Sequence, residues 1–321
     1  MTAPRIFLGV DGGGTKTEFV CIDAAGAVVA RQIEGTTYHL QVGLDGAVSA
    51  LEAGIAGVCA QIDLAPADLA YAFFGLPAFG EDSAIDPELD RHCRRLLGHD
   101  RYRCGNDMIC GWAGSLACAD GINLVAGTGS IGYGERQGQA ARAGGWGEVF
   151  SDEGSAYWIA IQGLNAFTRM SDGRLPKGPL HEAFRRRLGL DADLDICAAV
   201  MGERGLARDE IAALAPIVAE AAAAGDAAAA AIHDRAADEL TAIAEALRAA
   251  LGFEPDEAVP LSWSGGVLAN DPSVRSRLEM RLRATGPYRF VEPRHSPAYG
   301  AALYAAHQVG GAPVSGAPEE R

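Results

Sequence analysis

The chain has 321 residues, 49% of them hydrophobic and 21% charged, with a formal net charge of −15. This suits a globular protein with room for two cores, disfavours nucleic acid and anionic membranes as partners, and offers no apolar run approaching the ~20 residues that span a bilayer. The seven cysteines (21, 59, 93, 104, 110, 118 and 197) contain no C-x-x-C pair, which argues against zinc ribbons and disulfide frameworks and suits reduced thiols in a cytoplasmic setting.

The first residues lead directly into an apolar run, so no secretory signal is expected. That run, Phe7 to Val10, ends at Asp11 and is followed by Gly12-Gly13-Gly14-Thr15-Lys16-Thr17. A second run, Phe19 to Ile22, a turn at Ala24-Ala25-Gly26 and a third run from Val28 complete a strand–turn–strand–turn–strand pattern. The glycine turn carries no side chain that would keep a phosphate from the backbone N–H groups. Asp11 at the strand tip suits a metal-bound water, and Thr15, Lys16 and Thr17 suit a polyphosphate, so a nucleotide is the first ligand expected. A plain glycine-rich hairpin is the alternative. The Walker loop does not apply, because Thr15 precedes Lys16 and a strand follows.

Residues 46–61 carry Val48, Leu51, Ile55 and Val58 at helical spacing. Residues 69–76 read as a buried strand, 87–97 as a helix, 101–106 as a strand and 108–119 as a helix, an α/β alternation. Asp107 falls at a strand tip before a helix, where it serves as either an N-cap or a general base. The pattern then restarts: strand 121–126, the loop Gly127-Thr128-Gly129-Ser130, and another β-rich turn region to Gly145. This is a degenerate internal repeat with a boundary near residue 117. Residues 127–132 match G-x-G-x-x-G, but a hairpin rather than a helix follows, against a Rossmann unit; the loop is assigned to phosphate contact, with Thr128 and Ser130 as side-chain donors. From Ser155 the chain is mainly helical, with an apolar stripe Ile232, Ala236, Leu240, Ile243, Leu247 and Leu251. Ser264-Gly265-Gly266 joins a strand to a helix, a last helix opens at Ser296-Pro297, and the tail from Gly310 reads as disordered. Asp152, ahead of a helix at Ala156, is a candidate capping acid or ligand contact, and Trp146 between glycines is a lid anchor or a core residue.

Taken together, Val10-Asp11-Gly12-Gly13-Gly14-Thr15-Lys16-Thr17, Ala126-Gly127-Thr128-Gly129-Ser130, Gly144-Gly145-Trp146-Gly147, Ser151 to Trp158 and Ser264-Gly265-Gly266-Val267 resemble the actin–sugar kinase–heat-shock ATPase superfamily, and within it the N-acetylglucosamine kinase group of the BadF/BadG/BcrA/BcrD ATPases. The resemblance implies two α/β ribonuclease H-like lobes, residues 1–117 and 118–321, with nucleotide and sugar bound between them and a final helix at about 297–309 packing back on the N-terminal lobe. It implies ATP and Mg²⁺ as cofactors, a small-molecule sugar as partner, and a homodimer. By the same resemblance Asp11 lies near Mg²⁺. Gly12, Gly13, Gly14, Thr15 and Lys16 line the first phosphate loop, Thr128, Gly129 and Ser130 the second, and Gly265, Gly266 and Asn270 pack against adenosine. Asp107 accepts the proton of the sugar 6-hydroxyl, and Gly145 and Asp152 contact sugar hydroxyls. Phosphoryl transfer needs such positioning and charge neutralisation more than covalent chemistry.

Two segments depart from the family pattern. Its sugar kinases usually offer an Asn and a Trp from the loop that here reads Thr36-Thr37-Tyr38-His39-Leu40, with Tyr38 and Leu40 at those positions; Tyr38 and the neighbouring His39 are candidate acceptor contacts, and the family's Ser-Gly-Gly appears here as Leu76-Pro77-Ala78. The expected activity is phosphorylation of N-acetylglucosamine on its 6-hydroxyl. Glucosamine, another hexosamine or an N-acetylmuramic-type sugar remain open as acceptors. Outside this class stand an ATPase activator of 2-hydroxyacyl-CoA dehydratases, which needs cysteines on an iron–sulfur cluster, and a non-catalytic sugar sensor.

Overall fold

In a computed structural model of the chain, residues 5–203 and 205–310 are described. Of these, the residues up to Asp120 together with those from Val291 to Gly310 form one compact unit, and those between Gly121 and Phe290 form a second.

The first unit opens with β1 (Phe7–Gly12), β2 (Lys16–Ile22) and β3 (Val28–Gly35), then α1 (His39–Gln61), β4 (Tyr71–Leu76), α2 (Asp86–Leu97), β5 (Tyr102–Asn106) and α3 (Met108–Leu116). The second holds β6 (Gly121–Ala126), β7 (Ser130–Arg136) and β8 (Gln139–Gly144). The helices α4 (Ala156–Ser171), α5 (Pro179–Leu188), α6 (Asp195–Met201), α7 (Arg208–Ala212), α8 (Ala215–Ala223) and α9 (Ala227–Ala250) follow, then β9 (Val259–Ser264), α10 (Gly266–Asn270), α11 (Pro272–Thr285) and β10 (Tyr288–Phe290). The chain closes in the first unit with α12 (Pro297–His307).

The internal repeat is visible in the strand order. One sheet runs β3-β2-β1-β4-β5 and the other β8-β7-β6-β9-β10. In each, the first three strands in chain order are antiparallel neighbours and the last two are parallel additions. Each is the mixed, helix-covered sheet expected of a ribonuclease H-like lobe. The topology sends the chain ends of β1 and β6 into the two glycine loops, so a tight turn follows the same central strand in both halves.

Local chemistry explains the bounds. α1 begins earlier than the apolar spacing indicates, at His39, and is broken at Gly43 (φ 71°). By length and composition α1 is the one helix among the described residues able to cross a membrane. It packs on β2 and β3 and buries Leu51, Ile55 and Val58. α3 ends at Leu116 because Ala117 and Cys118 turn left-handed, with φ of 51° and 59°. The stripe read on residues 232–251 is the buried face of α9 and of Leu251, which follows it. α12 joins the first unit through close backbone approach. A Cβ on Gly9 would lie 2.0 Å from the Ala302 nitrogen, and one on Gly300 would lie 2.2 Å from the Gly114 nitrogen. The tail expected to be disordered lies, beyond Gly310, outside the described residues.

Candidate active site

The first glycine loop joins β1 to β2. Gly13 donates from its backbone to the Lys16 carbonyl at 2.9 Å, and the Thr36 hydroxyl donates to the Gly13 carbonyl at 2.7 Å, so the loop is fixed from both sides. Its glycines answer to different demands. A Cβ on Gly12 would stand 2.4 Å from the Thr37 Oγ1 and 2.7 Å from the Pro77 Cδ, whereas one on Gly14 would meet nothing within 4 Å. Gly12 is thus required by packing, while Gly14 leaves open space beside its backbone. That space is a cavity of about 280 Å³ lined by Asp11, Gly13, Gly14, Thr15, Lys16 and Glu18.

Asp11 sits one residue before the end of β1, cross-strand from Glu18 and beside Gly75 of β4. Burial first, then the charge of Asp107, push its carboxyl up to about 8; the Cys110 thiol and Lys16 pull the other way. Behind it, Cys110 is raised well above the ordinary thiol range by burial and by both carboxylates, so it stays protonated. The site is therefore short of positive charge. Among the described residues no group of three or more His, Cys, Asp and Glu could hold a metal. One or two carboxylates with no complete protein cage is the donor set that fits Mg²⁺ carried in on a polyphosphate.

Asp107 takes the N-cap position of α3 with helical φ and ψ, and its side chain makes no capping hydrogen bond. The Asn106 side chain instead accepts from the Met108 N–H at 3.2 Å. The capping role weighed from the sequence is thus filled by the neighbouring residue. Tyr38 precedes α1, and its N–H donates to the Thr36 hydroxyl at 2.9 Å. His39 is 6% exposed, yet neither ring nitrogen has a hydrogen-bond partner among the described residues. Buried polar groups ordinarily have a hydrogen-bond partner, which makes His39 an exception in this segment.

In the second unit, the loop after β6 is tied to the start of α4. Gly127 donates to the Gly129 carbonyl at 2.9 Å, and the Ala156 N–H donates to the Gly127 carbonyl at 2.8 Å. Thr128 is exposed at the loop tip. Ser130, expected to offer its hydroxyl to phosphate, is 2% exposed and donates instead to the Glu153 carbonyl at 2.7 Å. β7 pairing turns its side chain inward, so it fastens the loop. Asp152 is buried, with a left-handed backbone (φ 59°), and accepts from the Arg208 Nη2 at 2.6 Å. Burial raises its carboxyl and Arg208 opposes the rise. Gly145 accepts from Arg142 through its carbonyl. Trp146 is 72% exposed, which removes the core reading for it.

Gly265 caps α10 with φ 90°, and a Cβ there would lie 2.5 Å from the Ala126 carbonyl, so only glycine lets this turn lie on the β6 loop. Between these segments and the helices α7 and α8 lies a cavity of about 630 Å³. Gly127, Thr128, Ala156, Gly266, Asn270 and Pro216 are among the residues that line it. Its size and largely apolar walls suit a nucleoside. Gly266 and Asn270, expected to pack against adenosine, line this cavity, as does Thr128, expected at phosphate, whereas Gly265, also expected at adenosine, is not among its lining residues. Asp209, Ala212 and Pro216 were not expected here, since an alanine-rich helix offers no local signal of what it faces.

A profile of the BadF/BadG/BcrA/BcrD ATPase family matches residues 8–305. The chain belongs to that family. A curated member-like relative, N-acetyl-D-glucosamine kinase of Dictyostelium discoideum, is 29% identical over 94% of this chain and 98% of its own length. An N-acetylmuramic acid/N-acetylglucosamine kinase of Clostridium acetobutylicum is 30% identical over 70% of this chain and 74% of its own. The solved structure of a candidate N-acetylglucosamine kinase from Chromobacterium violaceum is similar with a TM-score of 0.71 and 28% identity, covering 94% of this chain and 99% of that one. This BadF/BadG/BcrA/BcrD ATPase is thus similar along nearly its whole length to the Dictyostelium and Chromobacterium proteins, and over 70% of it to the Clostridium one.

Proposed function

We propose that the chain is an ATP-dependent amino-sugar kinase that transfers the γ-phosphoryl group to the 6-hydroxyl of N-acetylglucosamine. The observation that carries this is Asp107: a strand-tip carboxylate, released from helix capping, whose charge acts directly on Asp11 of the first glycine loop. The names of the relatives support the same reading. Each unit contributes its own groups. In the first, backbone N–H groups of Gly13 to Thr15 hold phosphate oxygens, and Asp107 orients the sugar hydroxyl and takes its proton as the new P–O bond forms. In the second, the cavity beside Gly266 and Asn270 takes the adenosine, and the Thr128–Gly129 loop holds phosphate. Asp11 is the residue that would hold Mg²⁺, which would supply charge neutralisation to the bound polyphosphate.

A second acceptor is favoured by one observation. His39 presents unpartnered buried nitrogens where the family's sugar kinases usually have Asn and Trp nearby, which suits a sugar differing around C2 or C3, such as glucosamine or an N-acetylmuramic-type sugar. A homodimer and a cytoplasmic setting belong to the same proposal, on the family expectation and on the scattered cysteine spacing, which has no C-x-x-C pair. The dehydratase-activator reading loses ground: Cys21, Cys59, Cys93 and Cys110 are buried in the first unit, three of them lying in its apolar core.

ATP consumption with N-acetylglucosamine, glucosamine, N-acetylmuramic acid, N-acetylmannosamine, glucose or no sugar, for wild type and Asp107→Ala, tests the proposal. Stimulation by one amino sugar that disappears in the variant supports it; equal turnover with and without every sugar overturns it.

A further inference from the structure

Arg208 opens α7, 56 residues after Asp152, and nothing in the local sequence marks it. Its guanidinium makes two carboxylate contacts, Nη2 to Asp152 Oδ2 at 2.6 Å and Nε to Glu148 Oε2 at 3.2 Å. The same Nη2 lies directly over the second glycine loop. A Cβ on Gly129 would be 2.7 Å from the Arg208 Nη2 and 2.7 Å from the Asp152 Oδ2. No side chain fits between this ion pair and the loop backbone. The arginine is 39% exposed, so a ligand reaches it, while Asp152 is 4% exposed.

The charge balance at this loop is unfavourable for its assigned ligand. Glu148 and Asp152 stand beside a turn whose backbone is to receive a polyphosphate, and two carboxylates would repel it. Arg208 is the group that offsets them, and its planar fork matches phosphate oxygens as well as it matches carboxylates. Asp152 meanwhile is held in a backbone conformation that aspartate adopts at a cost, the kind of strain that persists where surrounding structure enforces it.

Building on the nucleotide reading of the site, we propose that Arg208 is a phosphate-binding residue that exchanges partners: polyphosphate on the Thr128–Gly129 loop takes the guanidinium from Asp152 and Glu148. The exchange frees the Asp152 carboxylate at the moment nucleotide binds. Nucleotide and Asp152 thus compete for one cation, and anything that contacts Asp152 is coupled to phosphate occupancy.

The competition has a signature that a merely structural arginine lacks. Affinities for ADP and for adenosine are measured by calorimetry on wild type, Arg208→Gln, Arg208→Lys, Asp152→Asn and the double variant R208Q/D152N. Adenosine serves as the internal control, because Asp209 and Ala212 of the same helix line the nucleoside cavity and would carry any distortion of α7 into adenosine binding. The expected result is that R208Q loses roughly 10- to 100-fold in ADP affinity, the scale of a lost charge-assisted contact, with adenosine unchanged and R208K recovering part of the loss. D152N alone tightens ADP about fivefold or more, and has no such effect in the R208Q background. Equal losses for ADP and adenosine, or unaltered ADP binding in R208Q, overturn the proposal. Wild type that binds neither ligand overturns the nucleotide reading itself and this inference with it.

Discussion

The hydroxyl of Ser130 donates to the main-chain carbonyl of Glu153 at 2.7 Å, fastening the second glycine loop to the turn that carries Asp152. Removing it leaves a carbonyl without its partner and a loop without its anchor. Ser130→Ala is expected to lower unfolding stability by about 1–2 kcal/mol and to weaken ATP use, through loop order rather than lost phosphate contact. Denaturant unfolding alongside KM for ATP checks both; a full-stability variant with raised KM would point back to a direct phosphate contact.

Asp107→Asn tests the base without disturbing α3. Because the side chain makes no capping bond, the usual cost of about 1 kcal/mol for losing a cap should not appear in thermal unfolding. Turnover should fall by ~10²–10⁴, the range for general-base catalysis, with KM for ATP little changed. Steady-state kinetics with the preferred sugar decides it.

The first loop offers a paired test. Gly12→Ala drives a methyl group into Thr37 and Pro77 and should destabilise by about 1–3 kcal/mol, as overpacking does. Gly14→Ala meets nothing within 4 Å and should fold normally, while losing nucleotide affinity if phosphate approaches the Gly14 backbone. Melting temperature and ADP binding on the two variants separate packing from ligand contact.

His233 makes stability depend on pH. It is fully buried in α9, with Nδ1 3.1 Å from the Ser273 hydroxyl and Nε2 3.4 Å from an Asp271 oxygen. Burial holds its pKa below the ordinary 6.5 despite the opposing pull of Asp271. The unfolded chain therefore binds a proton near 6.5 that the folded chain refuses until lower pH, and stability falls as pH drops through that window. Denaturant midpoints at about pH 7.5 and 5.5 should converge in His233→Asn relative to wild type, whose extra loss over this range reflects the imidazole.

The strand–glycine–strand pattern was legible because its signals are local: apolar runs of strand length, glycines at the turns, an acid where a strand ends. The restart at Gly121 was legible for the same reason, and it shows in the matching strand orders. What escaped was decided at long range. The helix at about 297–309 and its return to the first lobe were expected from the family resemblance, but the contacts that seat it, Gly9 on Ala302 and Gly300 on Gly114, depend on small residues far apart in the chain and carry no local signal. Ser130 looked like a phosphate donor because serine in a glycine loop usually faces outward; the β7 register turned it in. Arg208 and Asp152 meet only through the fold of the helices between them.

α12 gives the molecule an order of completion. The second unit is a continuous stretch of chain, with every strand of its sheet in hand once Phe290 has been made. The first unit, although its sheet is made earliest, keeps the faces of β1 and α3 uncovered until residues 297–307 arrive to fill them. On a ribosome the first unit is thus begun before the second and finished after it. A chain cut short before Pro297 would carry the second unit whole while stranding Asp11 and Asp107 on an unsealed core.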